Sequence, residues 1–117
     1  MRHHEKYKTL GREKGQRTAL VRSLLRSLVI HGGITTTETR AKELRKYIEP
    51  LVTKAKTDSL ANRRLISSRI GDPKAAKKLV EVIAPAHKTR TGGYTRVVKL
   101  PLRKADGAKM AHIQFVS

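Results

Sequence analysis

Hydrophobic positions along this chain switch between two periods. Leu20, Val21, Leu24, Leu25 and Leu28 recur at helical spacing, with Arg22 and Arg26 on the opposite face, so a helix is predicted over residues 16–31. Gly32-Gly33 ends it, because glycine accepts the left-handed backbone that closes a helix. Ile34-Thr35-Thr36-Thr37 is β-branched throughout and predicts a short strand. Thr37 or Thr39 then offers a hydroxyl to cap a second helix. That helix is expected over residues 38–57, with Ala41, Leu44, Ile48, Leu51 and Ala55 inward. Pro50 removes a backbone donor and predicts a kink within it. Asp58 is the expected cap of a third helix that runs to Ile70 and is closed by Gly71. Asp72-Pro73 is a start signal for a fourth, with Ala76, Leu79, Val80 and Ile83 inward and Pro85 as its end.

Strand character returns after a loop containing Gly92-Gly93. Residues 96–100 and 111–116 predict two strands, with Asp106-Gly107 as turn chemistry between them. Pro101 marks the first as an edge strand or the place of a bulge. Residues 1–15 carry neither period: Arg2, Lys6, Lys8, Arg12 and Lys14 alternate with His, Thr and Gly, and only Tyr7 and Leu10 offer apolar grip. The predicted architecture is α+β, with about four helices packed on a small mixed sheet made by the C-terminal hairpin and the short early strand. A basic extended arm (residues 1–15) precedes a single domain (residues 16–117) and is expected to order only against a partner.

Composition narrows the core, and charge narrows the function. A chain of 117 residues closes one modest core, and with 3% aromatics and no Trp that core must be aliphatic. Lys and Arg number 27 against 9 acidic residues, a formal net charge of +18. Such a chain repels itself and attracts polyanions, nucleic acid first and an anionic membrane surface second. No apolar run approaches the ~20 residues of a membrane span, and the first residues lack the apolar stretch of a secretory signal. With no cysteine, disulfides and thiolate zinc sites are excluded.

The cations are also clustered. Acid-free stretches hold Lys14, Arg17, Arg22 and Arg26, then Arg63, Arg64 and Arg69, then Lys88, Arg90, Arg96, Lys99, Arg103 and Lys104. Most soluble proteins intersperse both signs, whereas phosphate contact requires stretches of this kind. Arginine adds a planar fork that clamps phosphate bidentately or stacks on a base. Around Thr89-Arg90-Thr91-Gly92-Gly93-Tyr94-Thr95-Arg96, the glycines permit close backbone approach to a ligand. Tyr94 either stacks on an unpaired base or ribose, or folds onto the core.

Catalytic chemistry is hard to find. His3 and His4 are adjacent and cannot share a face, while His31, His87 and His112 are scattered without an HExxH-type spacing. They read as polar or RNA-facing histidines, and no metal or cofactor is expected. There is no nucleotide loop of Walker or Rossmann spacing, and the acids are too scattered for a paired-carboxylate site. Three rival readings remain: an architectural DNA-binding protein, a small ribonuclease using His3, His4 or His112, and a basic amphipathic membrane peptide.

Successive segments resemble signatures of one family. They are Met1-Arg2-His3, Gly33-Ile34-Thr35-Thr36-Thr37, Arg40-Ala41-Lys42-Glu43-Leu44-Arg45, the stretch from Glu49-Pro50 to Thr57-Asp58, Asn62-Arg63-Arg64-Leu65 and Gly92-Gly93-Tyr94-Thr95-Arg96. In this order they resemble the family of protein seventeen of the bacterial large ribosomal subunit. The resemblance implies a compact α+β body with basic extensions, bound to large-subunit ribosomal RNA on the solvent side near the nascent-chain exit. It also implies neighbouring large-subunit proteins as partners, a cytoplasmic location, and neither a membrane nor a small-molecule substrate. Charge clusters and motifs together nominate as RNA-binding Arg2, His3, Lys6, Lys8, Arg12, Lys14, Arg17, Arg22, Arg26, Arg40, Lys42, Arg45, Arg63, Arg64, Arg90, Gly92, Gly93, Tyr94 and Arg96.

Overall fold

The helix announced by the leucine spacing begins two residues early. The computed structural model describes residues 14–116, and Lys14 and Gly15, assigned to the arm by the sequence, open α1 (Lys14–His31). Residues 1–13, and with them the rest of the expected arm, lie outside the described residues, as does Ser117. The order continues with β1 (Gly33–Thr37), α2 (Glu38–Ala55), α3 (Leu60–Ile70), α4 (Pro73–Lys78), a π-helical turn (Leu79–Ile83), α5 (Ala84–Ala86), β2 (Thr95–Leu100) and β3 (Met110–Phe115).

Helix ends follow capping chemistry, with two departures from the sequence expectation. The Thr37 hydroxyl accepts from the Arg40 amide at 3.4 Å, Asp72 accepts from the Lys74 amide at 3.0 Å, and Gly71 closes α3 at a φ of 76°. The α3 cap, however, is Ser59, whose hydroxyl accepts from the Asn62 amide at 3.2 Å. Asp58 is drawn away by Arg63. The second departure is at Pro85, which does not stop the helix. The Ala84 amide bonds Leu79 O, five residues back, so the widened turn carries the chain past the proline to Ala86. At Pro50, α2 continues as one helix; the missing amide falls on its exposed side.

The sheet has the order β1-β3-β2 and is antiparallel throughout, where a mixed sheet was expected. The antiparallel register aligns Ile34, Ile113 and Val97 as one cross-strand row beneath the helices, so all three strands share an inner face. β2 is an edge strand, and Pro101 follows directly on its end. Against this face the helices bury an aliphatic core: Val21, Leu25, Leu28 and Val29 from α1, Ala41, Leu44, Ile48, Leu51 and Val52 from α2, Ile66 and Ile70 from α3, and Leu79, Val80 and Ile83 from the π turn.

Two aromatic groups complete the core at the end away from the α2 cap. Tyr94 is the largest fully buried side chain, at 1% exposure. His87, expected to be polar or RNA-facing, is buried with its ring edge-on to Tyr94 at 5.7 Å. Its Nδ1 lies 3.0 Å from Ile83 O and its Nε2 2.5 Å from Val116 O, which joins the last helical turn to the end of β3. Among the described residues, the Thr95 hydroxyl alone is a buried side-chain polar group without a hydrogen-bond partner. A buried hydroxyl so placed costs its lost hydration. Thr95→Val should therefore raise the unfolding free energy by about 1 kcal/mol, measured by urea or thermal unfolding; a loss of stability would show that the hydroxyl is bonded in solution.

Candidate nucleic-acid interface

With the core aliphatic, the cations are left at the surface, and the helices gather them into separate patches. The first lies between α1, α2 and α3. Arg17, Arg22 and Arg69 line a cavity of about 220 Å³ together with Thr18, Val21, Leu25, Tyr47, Leu51 and Ser68. Arg22 is not purely a surface charge: its Nη2 donates to Ser68 O at 3.1 Å, and its Cδ would lie 3.1 Å from a Cβ at Gly71. Arg22 thus ties α1 to the end of α3. Arg26, one turn further along α1, is exposed.

The second patch follows α3 and α4, where Arg64 and Lys77 share a shallow depression with Ser67, Pro73 and Ala76. Arg63 reaches the same depression, but its fork is already engaged. Its Nε donates to Asp58 Oδ1 at 2.6 Å and its Nη2 to Oδ2 at 2.9 Å, with Glu81 3.9 Å from Nη1. The hydrogen bond from Arg63 holds the Asp58 carboxyl below the usual carboxylate range. Arg63 was nominated as an RNA contact; its geometry also makes it an organiser of the turn before α3.

A third patch joins the start of α2 to the hairpin loop, where Arg40 and Arg103 line a depression with Thr37 and Thr39. Lys42 is paired with Glu38 at 2.9 Å and yet 60% exposed, a pair too weak to withhold it from another anion. Arg45 is exposed on the same helix. The fourth patch is the loop before β2. Arg90, Gly92, Gly93 and Arg96 are exposed, and a Cβ at either glycine would meet nothing within 4 Å. Gly93 has a φ of 63°, which explains the residue, whereas Gly92 leaves its backbone bare without such a need.

Tyr94 belongs to the core, and its nomination as an RNA contact does not stand. Its amide donates to both Glu49 carboxylate oxygens at 3.1 Å, and its hydroxyl lies 3.2 Å from the Thr53 hydroxyl and 3.4 Å from Arg90 O. Lys56 sits 4.6 Å from the ring centroid and also donates to Arg90 O. Lys56, and after it Thr53, holds the phenol below the usual tyrosine range. A ring so covered has no face to offer a base. It instead sets the loop that displays Arg90 and the glycines.

Arg2, His3, Lys6, Lys8 and Arg12 lie outside the described residues. Arg69 and Arg103 were not nominated, though both stand in the acid-free stretches that could have found them. Lys77 was missed because Glu81 and Asp72 flank its stretch. His112 faces the Thr35 hydroxyl at 3.0 Å through Nδ1. Among the described residues, no group of three His, Cys, Asp or Glu side chains gathers into a metal-binding arrangement.

Comparison with known proteins bears on the same residues. Residues 20–116 match the family described as ribosomal protein L17. The chain is 47% identical over 116 residues to the large ribosomal subunit protein bL17 of Gemmatimonas aurantiaca, covering 99% of this chain and 98% of that one. It is 48% identical over 117 residues to bL17 of a Sulfurihydrogenibium species, covering 99% and 97%. It is also 48% identical over 116 residues to bL17 of Sphingopyxis alaskensis, covering 99% and 84%.

Two outcomes test this geometry. In the hairpin loop, Arg103 grips Asp106 through two hydrogen bonds of 2.9 and 2.7 Å, and the Ala108 amide adds a third at 3.1 Å. Together they lower the Asp106 carboxyl to about 2, the Arg103 contact contributing most. A depressed folded value stabilises the loop above the unfolded value of about 3.9, and the effect is lost as pH falls through the folded one. NMR titration should therefore place the Asp106 midpoint near 2, and a midpoint near 4 would contradict the pairing. In the loop before β2, Gly92→Ala should leave the melting temperature unchanged but weaken RNA binding. An unchanged affinity would exclude close backbone approach there.

Proposed function

Because the chain belongs to the ribosomal protein L17 family, we propose that it is a structural, non-enzymatic constituent of the large subunit of a bacterial ribosome, acting in the cytoplasm. It binds large-subunit ribosomal RNA through phosphate and shape contacts, beside neighbouring large-subunit proteins, on the solvent side near the nascent-chain exit. The observation that carries this reading is the 47% identity to a bL17 protein across 99% of the chain. Charge supports it independently, since a net +18 on 117 residues suits a dense polyanion.

The mechanism is electrostatic and geometric. Folded RNA crowds phosphates whose repulsion is held down by condensed counterions; Arg and Lys side chains replace those ions and release them. The rigid body fixes where the replacement charges stand: α1 displays Arg17 and Arg26, α3 and α4 display Arg64 and Lys77, and α2 displays Arg40 and Arg45. Since the patches point from different elements, one body contacts several RNA segments and holds them at a set distance. Arg2, Lys6, Lys8 and Arg12 add further cations to this contact. Phosphate contacts position the protein, and A-form shape, rather than base sequence, supplies most of the recognition.

Arg26→Ala and Arg64→Ala test the reading. Each should leave the melting temperature within experimental scatter, weaken RNA binding, and lower the slope of log affinity against log salt by about one. Co-sedimentation of the tagged chain with large subunits through a raised-salt cushion checks the assembly claim. Failure to sediment with them, or equal affinity for duplex DNA, would contradict it.

A further inference from the structure

The helices pack on the sheet face that carries Ile34, Ile113 and Val97, and the opposite face is left open. Side chains alternate along a strand, so β2 turns Arg96, Val98 and Leu100 to that open side, where all three are exposed. Six large apolar side chains are exposed among the described residues, and three of them, Val98, Leu100 and Leu102, fall on β2 and its continuation. Apolar side chains scattered singly over a surface are ordinary, whereas a row of them marks an interaction surface. Leu100 and Leu102 also share a depression of about 240 Å³ with Met110, rimmed by Glu38, Lys99 and Lys109. Ligand sites for small molecules run to about 300–1,000 Å³, so this one suits a single anchoring side chain.

β2 is at the same time an unpaired edge. The Val116 amide donates to Tyr94 O at 2.8 Å, which sets the alternation of the antiparallel ladder. Arg96, Val98 and Leu100 therefore bond to β3, and the amides and carbonyls of Val97 and Lys99 point away from it. No strand among the described residues pairs with them. Natural proteins blunt such edges with Lys or Pro. Lys99 and Pro101 fit that description, but blunting gives no reason for the apolar row beside them. The other edge strand, β1, carries only Gly33, Thr35 and Thr37 on the same face.

The chemistry selects the occupant. A phosphate donates nothing to the edge carbonyls and gains nothing from Val98 or Leu100. A second copy of this chain would bring another +18 of like charge to the contact. An extended peptide supplies both donors and acceptors to the edge and lays alternate side chains along the apolar row. Charge narrows the composition of that peptide. Arg96 is exposed at one end of the row, and Lys99 is 76% exposed with Glu38 at 3.7 Å, a pair too weak to withhold it. Glu38 is the acid at this rim, and it is already met by Lys42 and Lys99. Acidic side chains flanking the apolar ones complete the match.

We propose that a short extended segment of a neighbouring large-subunit protein, apolar residues alternating with acidic or polar ones, pairs with β2 as a fourth strand. Its apolar side chains lie beside Val98 and Leu100 and in the depression at Leu102. The proposal rests on the large-subunit reading above and adds a protein-facing surface to a body whose basic patches face RNA. Pro101 ends the open edge, so the added strand is short.

The test places the photoreactive residue benzoylphenylalanine at Val98, and separately at Leu102, in the tagged full chain. Large subunits carrying it are purified and irradiated. The expected product is a protein–protein adduct that survives ribonuclease, whereas the same reagent at Arg64 should give an adduct to RNA. Lys99→Pro removes an amide that points to the open edge and leaves the ladder to β3 intact. It should lower the protein adduct from Val98 about tenfold, while the RNA adduct from Arg64 and co-sedimentation with the subunit stay unchanged. Lys99→Ala, which removes the charge alone, should lower the protein adduct far less. An adduct to RNA at Val98, no adduct from either position, or equal effects of Lys99→Pro and Lys99→Ala would overturn the added strand and leave the large-subunit reading intact. A chain that does not sediment with large subunits would count against that reading, and this proposal would fall with it.

Discussion

A chain of 117 residues with a formal net charge of +18 must hold its cations apart and still close a core almost without aromatic bulk. Repulsion between like charges weakens the compact state, and it weakens less as the charges spread to the surface and face water. The fold meets both demands by placing its helices on one face of a narrow sheet. Leu, Ile, Val and Ala fill the interior, and among the described residues no Lys or Arg is buried. What remains outside is a surface whose charge is uncompensated until a polyanion meets it.

The few acidic groups explain how the surplus is kept available. Every acidic side chain among the described residues has an architectural partner. Glu38, Glu43, Asp58, Glu81 and Asp106 pair with cations, Glu49 receives the Tyr94 amide, and Asp72 caps α4. Some cations are architectural too. Lys78 donates to Ile30 O at 2.6 Å in the last turn of α1, Arg22 to Ser68 O near the end of α3, and Lys56 to Arg90 O. Carbonyls at a helix end lack intrahelical partners and carry partial negative charge, so a cation there both satisfies and stabilises them. The surface cations therefore divide into those that join elements and those that wait for a partner, and Arg63 and Arg26 illustrate the two kinds.

Much of the frame was legible in the sequence because its signals are local. The leucine spacing of α1, the β-branched run of β1, Gly71 and Asp72-Pro73 each specify structure through neighbours within a turn. Asp58 was misread as a cap because Asp and Ser are near-equal caps, and only the reach of Arg63 decides between Asp58 and Ser59. Pro85 was misread because a π turn relieves the clash that ordinarily ends a helix. Tyr94 shows the wider limit. Among glycines, threonines and arginines it looks like a surface ring, yet Glu49, Thr53 and Lys56, which bury and bond it, lie some forty residues earlier. The candidate interface was legible as charge but not as geometry: the sequence does not say that Arg69 stands beside Arg17, or that Asp58 engages Arg63.

If uncompensated charge is the governing constraint, the free chain is held back by its own surface and is relieved by anything that screens it. Thermal melting of the isolated chain across a potassium chloride series measures this directly, because screening shortens the reach of each charge from about 30 Å at 0.01 M to about 3 Å at 1 M. The account requires the melting temperature to rise steadily over that series. A melting temperature that stayed flat or fell would mean that the ion pairs, not the repulsion among the surplus cations, dominate the surface, and would contradict it.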